Sequence, residues 1–240
     1  MRSSRAGRCA VAIMAKAPRV GEVKTRLVPP LSPAQAAALG GCFIQDIAAN
    51  ILTASASAPI DGYVAYSPPG SEAVFAPLLP PGIRLLPPRR TGLGASLVDA
   101  AEDLLAAGYG AACLVNADSP TLPTAMLAEA AQLLAIPGDR VVLGPAEDGG
   151  YYLIGLQQPH RRLFEEIAWS TEHVLRQTLD RAAELGLDAA LLAGWYDVDD
   201  VASLRRLIAE LQSAARAGYA APHTASFLRD LAGDPLFATS

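Results

Sequence analysis

Only three cysteines and three histidines occur in the 240 residues of this chain. Cys9, Cys42 and Cys113 are far apart, sit in apolar runs and lack metal-ligand spacing. They read as buried thiols, and a disulfide framework is not expected. His160, His173 and His223 share no common spacing, so neither a zinc site nor a histidine-based triad is supported. No apolar run of roughly eighteen residues is free of breakers, and no membrane insertion is expected. The start, Met1-Arg2-Ser3-Ser4-Arg5, has the basic flank of a signal peptide, but the apolar run behind it is short and meets Lys16 and Pro18. That run is better used as a core strand, and a cytoplasmic protein is expected. A Walker sequence is missing, and Gly-x-Gly-x-x-Gly does not follow the first strand, which argues against P-loop and Rossmann alternatives. Nor is there a broad basic footprint: 19 Lys and Arg against 24 Asp and Glu leave a net charge of −5. Nucleic acid is therefore not expected as the main partner. There is no internal repeat and no linker long enough to divide the chain.

What is present is alternation. Apolar residues make up 51% and charged residues 18%, a composition that buries a sizeable core. Strand candidates at Cys9 to Met14, Asp61 to Tyr66, Ile83 to Leu86, Ala111 to Asn116, Val141 to Leu143, Tyr151 to Leu156 and Ala189 to Leu192 alternate with helices. Ser32-Pro33-Ala34-Gln35 predicts a helix start, with Ser32 as cap and Gln35 closing a capping box, and the helix runs to about Ser55. Ser71 to Leu79 predicts a short helix, and Gly92 to Ala107 a loop followed by a helix. Further helices are expected over Thr124 to Ala135, with Thr124 as cap, Ser170 to Leu185, Val201 to Ala215 and Ala225 to Leu231. The last lies in a tail that packs loosely or against a partner. Strands alternating with helices imply a three-layer α/β/α architecture around a mostly parallel sheet. Such sheets bind ligands beyond the carboxyl ends of their strands, where strand order reverses.

Polar clusters follow the strands. Lys16 to Arg26 packs Lys16, Arg19, Lys24 and Arg26 into eleven residues with one acid, Glu22, directly after the first strand. Guanidinium and ammonium groups so placed suit phosphate oxygens, and in group transfer they neutralise charge on the transferred and leaving phosphates. Lys16, Lys24 and Arg26 are read as facing phosphate, Arg19 and Glu22 as nearer solvent. In Thr91-Gly92-Leu93-Gly94-Ala95-Ser96-Leu97, glycines before a helix let backbone N–H groups approach a ligand. Asp118, after the most apolar strand, suits Mg²⁺, which takes one or two carboxylates and keeps its other positions for phosphate and water. Asp148, in Glu147-Asp148-Gly149-Gly150, is placed to share a metal, orient an acceptor hydroxyl or act as general base. A hairpin turn also explains Asp148 and Gly149, but not Glu147, Tyr151 or Tyr152. Asp199 and Asp200 precede the Val201 helix, where acids cap well.

Lys16 followed by Val23-Lys24-Thr25-Arg26-Leu27 resembles the first-loop signature of the nucleotide-diphospho-sugar transferase superfamily, the GT-A fold. It is similar in particular to the loop of the phospholactate guanylyltransferases. More narrowly, the chain resembles the DUF2064 family. That likeness rests on Met14-Ala15-Lys16-Ala17-Pro18, Asp118-Ser119-Pro120, Gly144 to Tyr152, Trp169-Ser170-Thr171 and Trp195-Tyr196-Asp197-Val198-Asp199, and it spans roughly Cys9 to Leu211. Asn116 stands where glycosyltransferases carry the first acid of Asp-x-Asp. The resemblance implies a GT-A-like domain over 1–216 with a helical tail over 217–240. It implies a base lying against the Gly92, Gly94 and Ser96 segment, Trp169 and Ser170 as pocket residues, and Asp199, with Asp197 second, completing a Mg²⁺ or Mn²⁺ site with Asp118. Lys24, Arg26 and Asp148 are the expected catalytic residues, and Lys16, Lys24 and Arg26 the expected phosphate ligands. The expected activity is a metal-dependent transferase that joins an NMP from a nucleoside triphosphate to a small phosphorylated or hydroxyl acceptor. A glycosyltransferase using a nucleotide-sugar is the alternative, and a nucleotide-sensing protein without turnover is a third reading. The pattern leaves room for a homodimer.

Overall fold

The computed structural model describes residues 5–213 and 218–231; Met1 to Ser4, the predicted helix end at 214–215 and the tail beyond Leu231 lie outside the described residues. Seven strands, β1 (Cys9–Lys16), β2 (Ile60–Ser67), β3 (Arg84–Leu86), β4 (Ala111–Asn116), β5 (Arg140–Pro145), β6 (Tyr151–Leu156) and β7 (Asp188–Leu191), form one sheet in the order β3-β2-β1-β4-β6-β5-β7. β6 runs antiparallel to both β4 and β5, and the other pairs are parallel. The helices are α1 (Pro33–Ala54), α2 (Glu72–Phe75), α3 (Leu93–Ala106), α4 (Thr124–Ala135), α5 (Val174–Glu184), α6 (Val201–Gln212) and α7 (Pro222–Leu231).

Strand alternation splits β1 between two cores. Cys9, Val11, Ile13 and Ala15 face α1 and α4. Ala10, Ala12 and Met14 face the layer of α3 and α5. β4 divides in the same way, which is why both strands are apolar up to their last residues, Lys16 and Asn116: helices cover both faces. α1 is buried on two sides as well. Ile44, Ile47 and Ile51 meet the sheet, while Leu39 and Phe43 join a third cluster with Leu204 and Leu207 of α6 and Leu228 of α7. Its 22 residues have the length and composition of a membrane span, yet 67% of the most apolar window is buried within this fold. The helix starts as its sequence predicts: Ser32 accepts from the Gln35 N–H and the Gln35 side chain accepts from the Ser32 N–H.

Two local expectations are not met. Thr124 does not cap α4; its hydroxyl donates to Asn50 Oδ1 at 2.6 Å, tying α4 to α1. Ser170 to His173 are not helical, and α5 begins at Val174. Ser170 has φ of +63°, outside helical space, and this irregular turn lies on the wall of the cavity described below.

Nor is the tail helix loose. α7 packs on α1, and Asp46 of α1, fully buried, accepts the backbone N–H groups of His223 and Thr224 at 3.0 and 2.8 Å. The carboxylate thus satisfies two donors of the first turn of α7. Asp46→Ala is expected to cost about 1–2 kcal/mol, and hydrogen exchange should show the loss concentrated in residues 222–231. Unchanged protection there would show that the apolar contacts alone hold the helix.

Candidate functional site

β1 lies between β2 and β4, so the chain leaves it to one side and later returns on the other. Beyond the carboxyl ends of these strands opens a cavity of about 1100 Å³. Strand-order reversal leaves such a crevice because successive crossover connections diverge there. Its lining draws on every polar cluster marked in the sequence: Lys16, Lys24 and Arg26, then Gly92 and Ser96, Asp118, Asp148, and Asp197 with Asp199. Gly94 is not on this wall. A Cβ there would stand 2.6 Å from the Trp169 indole nitrogen, so Gly94 serves the packing of Trp169, itself a lining residue.

The acids arrive from two directions. Asp118 follows β4 directly. The 195–199 segment runs beside the end of β5, with Trp195 N–H donating to the Pro145 carbonyl at 3.0 Å and Glu147 N–H donating to the Trp195 carbonyl at 3.1 Å. Val198 N–H then donates to the Asp118 carbonyl at 2.9 Å, which brings Asp199 opposite Asp118. Asp200 caps α6 by accepting from the Ser203 N–H, so adjacent acids divide the work: Asp199 faces the cavity and Asp200 the helix.

Lys24 departs most from expectation. Its ammonium lies 2.5 Å from Asp118 Oδ1 and 3.0 Å from Asp199 Oδ1, and donates to the Val198 carbonyl at 2.8 Å. The side chain is only 7% exposed and its head lies 5.2 Å from the centre of the Phe43 ring. All three ammonium hydrogens have protein acceptors, so the residue holds carboxylates rather than presenting itself to phosphate. Burial alone would lower its pKa, but the charges and hydrogen bonds of the two aspartates outweigh it, and the ammonium is held above its ordinary value. The Lys24 backbone has φ of +50°, a left-handed conformation that costs a non-glycine residue about 1 kcal/mol or more and that the three contacts hold in place.

The rest of the first loop closes on itself. Half-exposed, Lys16 donates to the Glu22 carbonyl at 3.0 Å, and Arg19 donates to Ser71 Oγ at 3.0 Å. Arg19 therefore fastens the loop to the start of α2 instead of facing solvent. Arg26 is exposed on the cavity wall.

Asn116 has a physical reason to be an amide. Its Nδ2 donates to Asp197 Oδ1 at 2.6 Å, and Ser119 Oγ donates to the same oxygen at 2.7 Å. Burial pushes Asp197 up to about 6 against these two hydrogen bonds, with the nearby charges of Asp118 and Asp148 adding to the rise. A second carboxylate at position 116 would face Asp197 unpaired. Asp148 sits in the β5–β6 hairpin, its Oδ1 accepting from the Gly150 N–H at 2.9 Å. Glu147 belongs to the frame: Arg206 of α6 grips it through both carboxylate oxygens at 2.6 and 3.0 Å and lies 3.8 Å over the Tyr196 ring.

Sequence reading missed Arg89 and Arg90, which line the cavity after β3. Arg90 forks onto Asp99 of α3 at 2.6 and 2.9 Å, and Arg89 reaches Asp99, Glu102 and Asp103. The adjacent arginines are visible in sequence, and their place just before a helix bearing three acids, Asp99, Glu102 and Asp103, is the available signal.

Two carboxylates converging on one cation are what a hard divalent ion takes when phosphates and water fill its other positions, so Asp118 and Asp199 fit Mg²⁺ or Mn²⁺. Among the described residues no group of three or more His, Cys, Asp or Glu forms a metal cage.

Residues 50–171 match the model of a family described as "Uncharacterized protein conserved in bacteria (DUF2064)". None of the curated proteins matches the chain. A solved structure named "putative nucleotide-diphospho-sugar transferase", from Desulfovibrio desulfuricans G20, superposes with a TM-score of 0.81 at 27% identity, over 98% of this chain and 97% of that one. CMP:2-keto-3-deoxy-manno-octonic acid synthetase, solved with CTP, gives a TM-score of 0.54 at 14% identity over 83% and 96%. The 4-diphosphocytidyl-2C-methyl-D-erythritol synthase of Anaerococcus prevotii DSM 20548 gives 0.53 at 13% over 86% and 97%. The last two likenesses are of fold.

Proposed function

The chain belongs to the DUF2064 family, and on that premise we propose that it is a metal-dependent nucleotide-utilising transferase, specifically a nucleotidyltransferase. The observation that carries this reading is the convergence of Asp118 and Asp199 in a cavity, at the strand-order reversal, that Lys16 and Arg26 also line. Acids and cations lining one cavity suit a metal–phosphate ligand, and neither set alone does. The solved relatives that act on cytidine nucleotides by name support the fold-level part.

In this reading Asp118 and Asp199 hold Mg²⁺, which supplies charge neutralisation for the phosphates when bound. Arg26 and Lys16 take phosphate oxygens that Lys24, being fully engaged, does not reach. Gly92 and Ser96 stand at the base, and Asp148 faces the acceptor. The acceptor oxygen bonds to the α-phosphorus as the bond from that phosphorus to the α–β bridging oxygen breaks. Pyrophosphate leaves and the acceptor proton passes to Asp148.

The second reading, a glycosyltransferase, is favoured by the name of the Desulfovibrio relative, and the same residues would steady a departing nucleoside diphosphate. Thermal shifts with each nucleoside triphosphate and each common nucleotide-sugar, with and without Mg²⁺, separate the two. Ligand at about a hundred times its Kd stabilises the native state by about 2.7 kcal/mol. The expected result is Mg²⁺-dependent stabilisation by a triphosphate, with pyrophosphate released across an acceptor panel. Stabilisation by a nucleotide-sugar over every triphosphate would transfer the assignment to the second reading.

A further inference from the structure

We propose that Lys24 is the resident counter-cation of the acidic pair, which keeps Asp118 and Asp199 from taking up free divalent metal, so that metal enters together with nucleotide. The inference rests on the nucleotide-transferase reading and adds an order of binding to it. Lys24 donates to one oxygen of each aspartate, and its third hydrogen is spent on the Val198 carbonyl. The trio of Lys24, Asp118 and Asp199 carries a net charge of about −1 instead of −2, with the positive charge almost wholly buried against Phe43.

A free divalent ion arriving at this site meets an ammonium already in contact with both carboxylates. It gains half the net negative charge that the bare pair would offer, and it gives up hydration to do so. A nucleotide changes the balance, because its phosphates bring several further negative oxygens to the same place. The aspartates remain open to the cavity on their other side, with side chains 39% and 49% exposed, so the pair is reachable while Lys24 stays behind it. Without Lys24 the two carboxylates would face each other uncompensated and bind a free cation well.

The test uses the full chain and Mn²⁺, followed by electron paramagnetic resonance and calorimetry, with and without α,β-methylene triphosphate analogues of the four common nucleosides. For the wild type, an analogue should tighten Mn²⁺ binding at least about tenfold. Lys24→Met keeps the stem over Phe43 and removes the charge. It should bind Mn²⁺ without nucleotide at least about tenfold more tightly than the wild type, and Mn²⁺ should raise its Tm more. Equal or weaker metal binding by Lys24→Met overturns the proposal. Should that variant fail to fold, the same comparison is made in the Asp199→Asn background, where the repulsion is gone: adding Lys24→Met must still tighten Mn²⁺ binding. Wild-type protein that binds free Mn²⁺ as tightly as it does with nucleotide overturns this inference alone. Wild-type protein that binds no nucleotide analogue with or without metal overturns the transferase reading beneath it.

Discussion

Asp118→Asn is expected to lower metal-dependent turnover of nucleotide by about 10²- to 10³-fold, or ~3–4 kcal/mol of transition-state stabilisation. The amide matches the carboxylate in shape, so the turn after β4 and its hydrogen bond to the Val198 N–H persist; that bond uses the backbone carbonyl of Asp118. Lys24 keeps Asp199 and the Val198 carbonyl as acceptors and stays charged. On the proposed reading, what disappears is one of two anionic oxygen ligands for a metal, and with it the charge neutralisation that a metal would supply to the phosphates. Pyrophosphate release, measured with the triphosphate that gives the largest thermal shift, should fall while Tm and circular dichroism stay near those of the wild type. Turnover within about a factor of two of the wild type would remove Asp118 from the metal site.

The parts of this fold visible in sequence are those governed by neighbours in the chain. Ser32 and Gln35 announce the start of α1 because both halves of a capping box lie within four residues. Ala111 to Asn116 is legible as β4 because a strand covered on both faces is apolar along its length, here over Ala111 to Val115. Gly149 falls in the expected hairpin because tight turns need backbone that only glycine adopts freely. The misses share a different cause. Thr124 looks like a cap until Asn50, 74 residues earlier, claims its hydroxyl. Lys24 looks like a phosphate ligand until the 195–199 segment folds alongside β5 and delivers a carboxylate to it. Motif position brought most of the marked residues to the cavity, though not Gly94 and without Arg89 or Arg90, but only tertiary contact decides which cations are free to meet a ligand and which are spent on the protein.

Gly149→Ala is expected to be among the most damaging single-methyl changes in the chain. Gly149 has φ of +89°, where an L-residue is strained by about 1–3 kcal/mol. It also lacks room: a Cβ would stand 2.3 Å from the Glu172 carbonyl oxygen and 2.7 Å from its Cα. Those atoms are backbone, so relief requires the 169–173 turn or the hairpin to move. The hairpin is tied to α5 by the Leu175 N–H donating to the Gly149 carbonyl at 3.0 Å, and that bond would stretch. At about 2–4 °C per kcal/mol for a chain of this size, Tm should fall by about 5–10 °C. Asp148 is the preceding residue, and a shift of about 1 Å there should cost turnover about a hundredfold. Gly186→Ala supplies the control, because Gly186 has φ of +66° after α5 with nothing within 4 Å of its Cβ position, so it suffers strain without collision. Gly149→Ala must therefore be markedly less stable than Gly186→Ala and, unlike it, lose activity. If the two variants melt and turn over alike, Gly149 is there for backbone conformation alone, and the contact with Glu172 does not position Asp148.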